Sequence, residues 1–217
     1  MRKVTVIMYH YVRPIKCSRF PGIKGLELDL FCRQIDYLVR EYNVISMEEL
    51  LAAAASDYIL PERAVLLTFD DAYLDHFLYV YPVLKKHRIQ GSFFTPVRVV
   101  KEDHVLPVNK IHFVLEKFSS DSSKVQELLT QIRSMFEEKR KGFSVDDFES
   151  YYNSLAFPSR FDSGEVAFVK RFLQSSLPPS LRNTIIDKLF VHHVGLPEDQ
   201  FRNELYMNID HIKHMIA

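Results

Sequence analysis

Two different hydrophobic periods divide this chain. Over the first hundred residues, short apolar runs alternate with helical stripes. Val4 to Tyr9 is brief and rich in β-branched residues, which predicts a strand. Leu30, Phe31, Ile35, Leu38, Val39 and Tyr42 then fall on one side of a helix that Asp29 is placed to cap. Val44-Ile45 is a minimal strand, and Ser46-Met-Glu-Glu49 has the S-x-x-E form of a capping box opening a helix to about Ala55. The uninterrupted run Ala64 to Phe69 predicts a strand buried on both faces. Ala72 to His87 reads as a helix despite Pro82, and Gly91 to Val97 as a fourth strand. Repeated strand-helix units imply a mainly parallel sheet or barrel.

From about Val100 the period becomes helical throughout. Val125, Leu128, Leu129, Ile132, Met135 and Phe136 keep the three-four spacing. Shorter stripes recur at Val166, Val169, Phe172 and Leu173, and at Leu181, Ile185, Leu189 and Phe190. Breakers at Gly142, Pro158, Pro178-Pro179 and Gly195-Leu-Pro197 separate the candidate helices.

Composition narrows the function classes. The chain has 217 residues, 47% of them hydrophobic, enough for a real core. Its 28 Lys+Arg against 28 Asp+Glu give no bulk electrostatic reason to seek nucleic acid or anionic lipid. No segment is long and apolar enough to predict a membrane span. Cys17 and Cys32 match no zinc or redox spacing and read as free thiols. The N-terminal apolar run breaks at His10 and has no small-residue cleavage site, which gives the expectation of a cytoplasmic protein.

The sharpest chemical feature is Thr68-Phe-Asp-Asp71, two carboxylates at the C-terminal end of a buried strand. In a βα barrel, active sites are built at that end. One carboxylate at such a place can bind a metal while its neighbour takes a proton from the metal's water. Either can equally cap the helix that follows, for which aspartate is well suited.

Val6-Ile-Met-Tyr-His-Tyr-Val12, Thr68-Phe-Asp-Asp71, Tyr81-Pro-Val-Leu-Lys85 and Gly91-Ser-Phe-Phe94 occur in the order found in polysaccharide deacetylases, carbohydrate esterase family 4, which residues 1 to about 98 resemble. The resemblance implies an α/β fold, a partial (β/α) barrel over residues 1–99. It also implies a helical insertion over 100–205 and the start of a continuing barrel helix at 206–217. It implies metal-dependent removal of N- or O-acetyl groups from an acetylated polysaccharide or oligosaccharide. Asp70 would be the catalytic base and Asp71 a ligand to a divalent metal, with zinc the expected ion.

His10, at the end of the first strand, is a candidate for the substrate side of the site. Tyr73 is a candidate for stacking on a sugar ring, whereas Phe93 and Phe94 read as core.

The family's H-x-x-x-H metal motif has no counterpart here. His211-Ile-Lys-His214 has a different spacing, and with Ile209, Ile212 and Ile216 forming the apolar stripe those two histidines read as surface residues. His192 and His193, adjacent in sequence, read as solvated or capping. The chain is therefore expected to stop short of that motif and to be weak or silent as an enzyme. The fourth strand is expected to leave a sheet edge through which copies can associate. The competing expectation is a non-catalytic glycan-binding or oligomerising module on the same scaffold.

Overall fold

The computed structural model describes residues 3–101, 104–118 and 121–216. The chain forms two compact units. One comprises residues 1–19, 24–104 and 199–217, the other residues 20–23 and 105–198. The helical unit thus begins at 105 and ends at 198, and it takes in a short early segment, Phe20–Ile23.

The first unit is α/β. Its strands are β1 (Val4–Tyr9), β2 (Val12–Arg13), β3 (Leu26–Glu27), β4 (Asn43–Ile45), β5 (Ala64–Asp70) and β6 (Ser92–Phe94). Its helices are α1 (Leu28–Glu41), α2 (Met47–Ala55), α3 (Tyr81–His87) and α4 (Val97–Lys101). β5 is the central strand, as its unbroken apolar run requires. β1 pairs parallel with it from Val4↔Ala64 to Tyr9↔Phe69. The opposite edge of β5 is shared, β4 pairing at Ala64–Leu66 and β6 at Thr68–Asp70, both parallel. β2 and β3 form a separate two-residue parallel pair.

One sheet face carries Tyr9, Val65, Leu67 and Phe69 onto Phe31, Ile35 and Leu38 of α1 and onto Val80 and Leu84. Tyr9 and Phe93 stack on either side of Phe69, with centroids 5.1 Å and 4.8 Å away. Each such buried side chain contributes about 1.5–3 kcal/mol. Gly91 is fixed by this packing, since a Cβ there would lie 2.6 Å from the Phe69 ring.

On the other face, Met47, Leu50 and Ala53 of α2 cover Ile45, Leu60, Ala64 and Leu66, the N-terminal half of the sheet. Towards the C-terminal ends that face is open.

Local signals account for most boundaries. The Ser46 capping box forms: Glu49 N–H donates to Ser46 Oγ, and Ser46 N–H to Glu49 Oε2. Asp29 is not the cap of α1. Glu27 precedes the helix, and Asp29 sits in its first turn, paired with Arg33 four residues on, as a charge near a helix N-terminus favours.

The helix expected from Ala72 starts later. Residues 71–72 form a turn, a π-helical segment spans His76–Val80, and α3 follows. Tyr81 N–H bonds the carbonyl of His76, five residues back. This wider turn leads into Pro82, which has no N–H to give. Val97, expected at the end of the fourth strand, instead opens α4.

The second unit contains α5 (Pro107–Phe118), α6 (Ser122–Lys139), α7 (Phe148–Leu155), α8 (Gly164–Arg171) and α9 (Pro179–Val194). The predicted stripes are buried on α6, except Met135, on α8 and the π-helical segment Phe172–Ser176 that follows it, and on α9. Pro179 starts α9 and Gly195, at φ 70°, ends it. Phe136, Phe148, Phe168 and Phe172 form an aromatic core with centroid separations of 5.0–6.1 Å.

α10 (Glu198–Leu205) leads back to the first unit, which also holds α11 (Ile209–Ile216). The α11 stripe is not core: Ile209 and Ile216 are exposed. His211 stacks on Phe77 at 4.4 Å, and His214 meets Phe77 and Tyr81 edge-on. Among the described residues no helix is long and apolar enough to cross a membrane.

Candidate active site

Asp70 ends β5 and Asp71 follows it, so both carboxylates emerge at the C-terminal end of the sheet. They line a cavity of about 570 Å³ with Thr68, Phe94, Thr95 and Pro96. Neither is consumed in capping, because the helix begins beyond them and no backbone amide donates to either carboxylate among the described residues.

The turn that presents them is unusual. Asp71 and Ala72 both adopt left-handed backbone, φ 72° and 54°. Each such residue other than glycine costs roughly 1–2 kcal/mol, so the surroundings must hold it. A distant segment does so. Met207 N–H donates to the Ala72 carbonyl at 2.8 Å, and Tyr206 forms an isolated antiparallel bridge with Tyr73.

Tyr73 is fully buried, its ring stacked between Tyr11 at 4.2 Å and Tyr206 at 6.1 Å. No ring face is left for a sugar, so the stacking role expected of it is corrected. Its hydroxyl instead donates to Asp71 Oδ2 at 2.9 Å. Burial, reinforced by Tyr11 and by the Asp71 charge, raises the Tyr73 pKa far above the usual tyrosine range, which keeps the phenol a neutral donor.

The ring beside the aspartates belongs to Phe94. Its residue pairs with Asp70 in register and therefore shares the cavity face, and Phe94 is 51% exposed. Phe93, one residue earlier, points into the core as expected. Strand alternation puts the two rings on opposite faces, and the register of Phe94 with Asp70 settles which one meets the cavity.

His10 lies where the first strand places it. Its side chain is 44% exposed, with Nε2 3.9 Å from Asp71 Oδ2. It is not a core histidine.

Two residues with no role legible from their spacing lie behind the site. His76 is fully buried, with Nε2 2.9 Å from the His10 carbonyl. A carbonyl only accepts, so Nε2 carries the proton and Nδ1 is a lone pair with no partner. Burial drives the His76 pKa down to about 4. Asp75, also buried, receives Arg13 Nε at 2.7 Å. Burial raises its pKa, and the guanidinium only partly offsets this.

His76 gives a pH dependence. An unfolded histidine takes its proton near 6.5 and the folded one only near 4. Between those values the unfolded chain binds more protons, so stability falls as pH is lowered from about 6.5 towards about 4. Urea midpoints measured across that window check this, and a His76→Gln variant should flatten the slope.

Among the described residues no group of three or more His, Cys, Asp or Glu side chains is arranged to hold an ion. His211 and His214 are engaged with Phe77 and Tyr81, and His193 contacts Gln131 at 2.7 Å. Asp70 and Asp71 alone do not make a closed site, which in proteins takes at least three ligands in most cases.

Comparison with known proteins agrees with the sequence resemblance. Residues 57–138 match the polysaccharide deacetylase family model. Over 105 residues the chain is 28% identical to YxkH of Bacillus subtilis (strain 168), a protein with a provisional polysaccharide deacetylase designation; the match covers 48% of this chain and 36% of the relative. The chain thus spans little more than a third of that relative's length.

Solved structures overlap in part. A de-N-acetylase from Aggregatibacter actinomycetemcomitans is 28% identical, covering 46% of this chain and 39% of that one with a TM-score of 0.40. The Streptococcus pyogenes deacetylase PplD, in complex with acetate, is 23% identical, covering 53% and 52% with a TM-score of 0.41. The family match takes in β5, the paired aspartates and the turn that holds them, and with the curated relative it shows that this part of the chain is similar to polysaccharide deacetylases.

Proposed function

We propose that this chain supplies the carboxylate part of a polysaccharide deacetylase site, with Asp70 as the general base and Asp71 as the group held for a metal. The observation that carries the reading is the placement of both carboxylates at the C-terminal end of the central strand, lining one cavity.

The reaction adds water to an acetyl carbonyl and releases acetate with a free amine or hydroxyl. Asp70, with no ion pair or hydrogen bond to its side chain among the described residues, is open to accept the water's proton. Tyr73 fixes one oxygen of Asp71, Oδ2, and Asp71 lines the cavity beside Asp70. Phe94 offers an exposed apolar ring against which a sugar face can lie. The substrate class is an acetylated poly- or oligosaccharide.

The described residues do not complete a metal site; Asp71 is the side chain that would contribute to one. The expected result for the chain by itself is zinc binding weaker than about 10 μM, reduced further by Asp71→Asn, and no acetate released from acetylated chito-oligosaccharides. Calorimetry and an acetate assay measure both. Robust metal-dependent acetate release would overturn the view that these residues form only part of the site.

A further inference from the structure

The residues just after the paired aspartates grip the segment that follows β1. His76 Nε2–H donates to the His10 carbonyl at 2.9 Å, and the Tyr11 ring stacks on Tyr73 at 4.2 Å. Asp75 accepts from the Val12 backbone N–H and, at 2.7 Å, from Arg13 Nε. Each residue from His10 to Arg13 is thus held by Tyr73, Asp75 or His76.

The grip is stiff. His76 N–H closes the turn onto the Tyr73 carbonyl at 2.9 Å. The His76 ring is fully buried among Phe69, Tyr73 and Phe93, with centroids 5.5, 5.7 and 5.9 Å away, so its N–H has a fixed aim. Tyr73 also donates to Asp71 Oδ2. One short stretch therefore fixes a carboxylate of the site on one side and the main chain of His10 on the other.

The His10 side chain has no such anchor. It is 44% exposed and makes no hydrogen bond among the described residues; its Nε2 is 3.9 Å from Asp71 Oδ2, too far for one. β1 pairs with β5 only as far as Tyr9, so the ladder does not hold His10 either. Its imidazole takes its place from its own backbone, and the His10 carbonyl is tied to His76.

We propose that His76 is a positioning residue: by holding the His10 carbonyl it sets the His10 imidazole beside Asp71, with ring nitrogens left to bind a polar group of the acetylated sugar. The sugar contact rests on the deacetylase reading, whereas the placement of His10 rests on the hydrogen bonds alone.

His76→Gln keeps a donor, because glutamine Nε2 lies close to where histidine Nε2 does, while His76→Leu keeps bulk and removes the donor. The His10 Cε1–H signal in a carbon-proton spectrum, assigned by its loss in His10→Ala, should stay in place in His76→Gln. In His76→Leu it should move to the position of a free histidine. An N-acetylated chito-oligosaccharide, titrated by calorimetry, should bind at least about fivefold more weakly to His76→Leu. On a His10→Ala background the same substitution should change affinity by less than about twofold. A residue that matters only for packing would weaken binding equally on both backgrounds.

A measurement on the unsubstituted chain guards against a variant that fails to fold. Long-range nitrogen-proton correlation between about pH 6 and about pH 8 should show His76 with Nε2 protonated and Nδ1 bare. A proton on Nδ1 instead, a His10 signal unmoved in His76→Leu, a His76→Gln variant that behaves as His76→Leu does, or additive losses of sugar affinity would each overturn the proposal. A chain that binds no oligosaccharide would contradict the deacetylase reading instead, and the His76 tautomer and the His10 signal would then decide the placement.

Discussion

Asp75→Ala should lower the stability of the α/β unit by about 3–5 kcal/mol, the largest effect expected of any single substitution near the site. The Arg13 and Asp75 side chains are only 13% and 6% exposed and meet at 2.7 Å. Burial already works against the Asp75 charge, and Arg13 Nη2 is a buried donor without a partner. Removing the carboxylate leaves a guanidinium with neither water nor a counter-charge, which costs far more than the net worth of the pair. The double substitution Arg13→Met with Asp75→Leu should recover much of the loss, because it removes both charges together. Urea unfolding followed by circular dichroism compares the three, and a loss under about 1 kcal/mol for Asp75→Ala would contradict the assignment.

In the helical unit the corresponding residue is Lys110. Its side chain is 1% exposed, and its ammonium reaches Asp187 at 2.7 Å and Glu198 at 2.8 Å. Glu198 also accepts the backbone N–H of Val105, so one carboxylate ties the start of α10 to the segment before α5. Lys110→Ala should cost about 2–3 kcal/mol. The estimate is below that for Asp75 because Asp187 and Glu198 are 51% and 32% exposed and can rehydrate. Lys110→Met keeps the packed stem and removes only the charge, and it should cost only about 1 kcal/mol; that loss reports the charge, and the difference between the two variants reports the stem. Equal losses for both variants would show that the charge alone is at stake and the packed stem contributes nothing.

Much of this architecture was legible along the chain, for identifiable reasons. Ala64 to Phe69 reads as a central strand because no polar side chain interrupts it until Thr68, and the Ser46 capping box is a purely local interaction that the sequence states outright. The paired aspartates were legible because a strand's C-terminal end is fixed by where its apolar run stops.

What was not legible depends on residues far apart. Tyr73 follows the aspartates and looks available to a ligand, but Tyr11 and Tyr206 bury it, and Tyr206 lies more than a hundred residues away. The left-handed backbone at Asp71 and Ala72 carries no glycine to announce it, because Met207 and the Tyr73 bridge hold the turn from outside. His76 and Asp75 had no usable spacing, since their partners, His10 and Arg13, come from another part of the unit. Phe94 was hidden by adjacency to Phe93: two neighbouring aromatics on a strand must face opposite ways, and only the register with Asp70 says which one meets the cavity.

The central claim is that the cleft at Asp70 and Asp71 receives an acetylated sugar chain. Amide chemical-shift mapping of the isotope-labelled chain, titrated with an N-acetylated chito-oligosaccharide, tests it most directly. Shifts should concentrate at Thr68 to Ala72 and Phe94 to Pro96, and they should persist in Asp70→Asn, because a general base contributes to rate more than to binding. A spectrum unchanged at saturating oligosaccharide, or shifts confined to residues away from this cavity, would contradict the account.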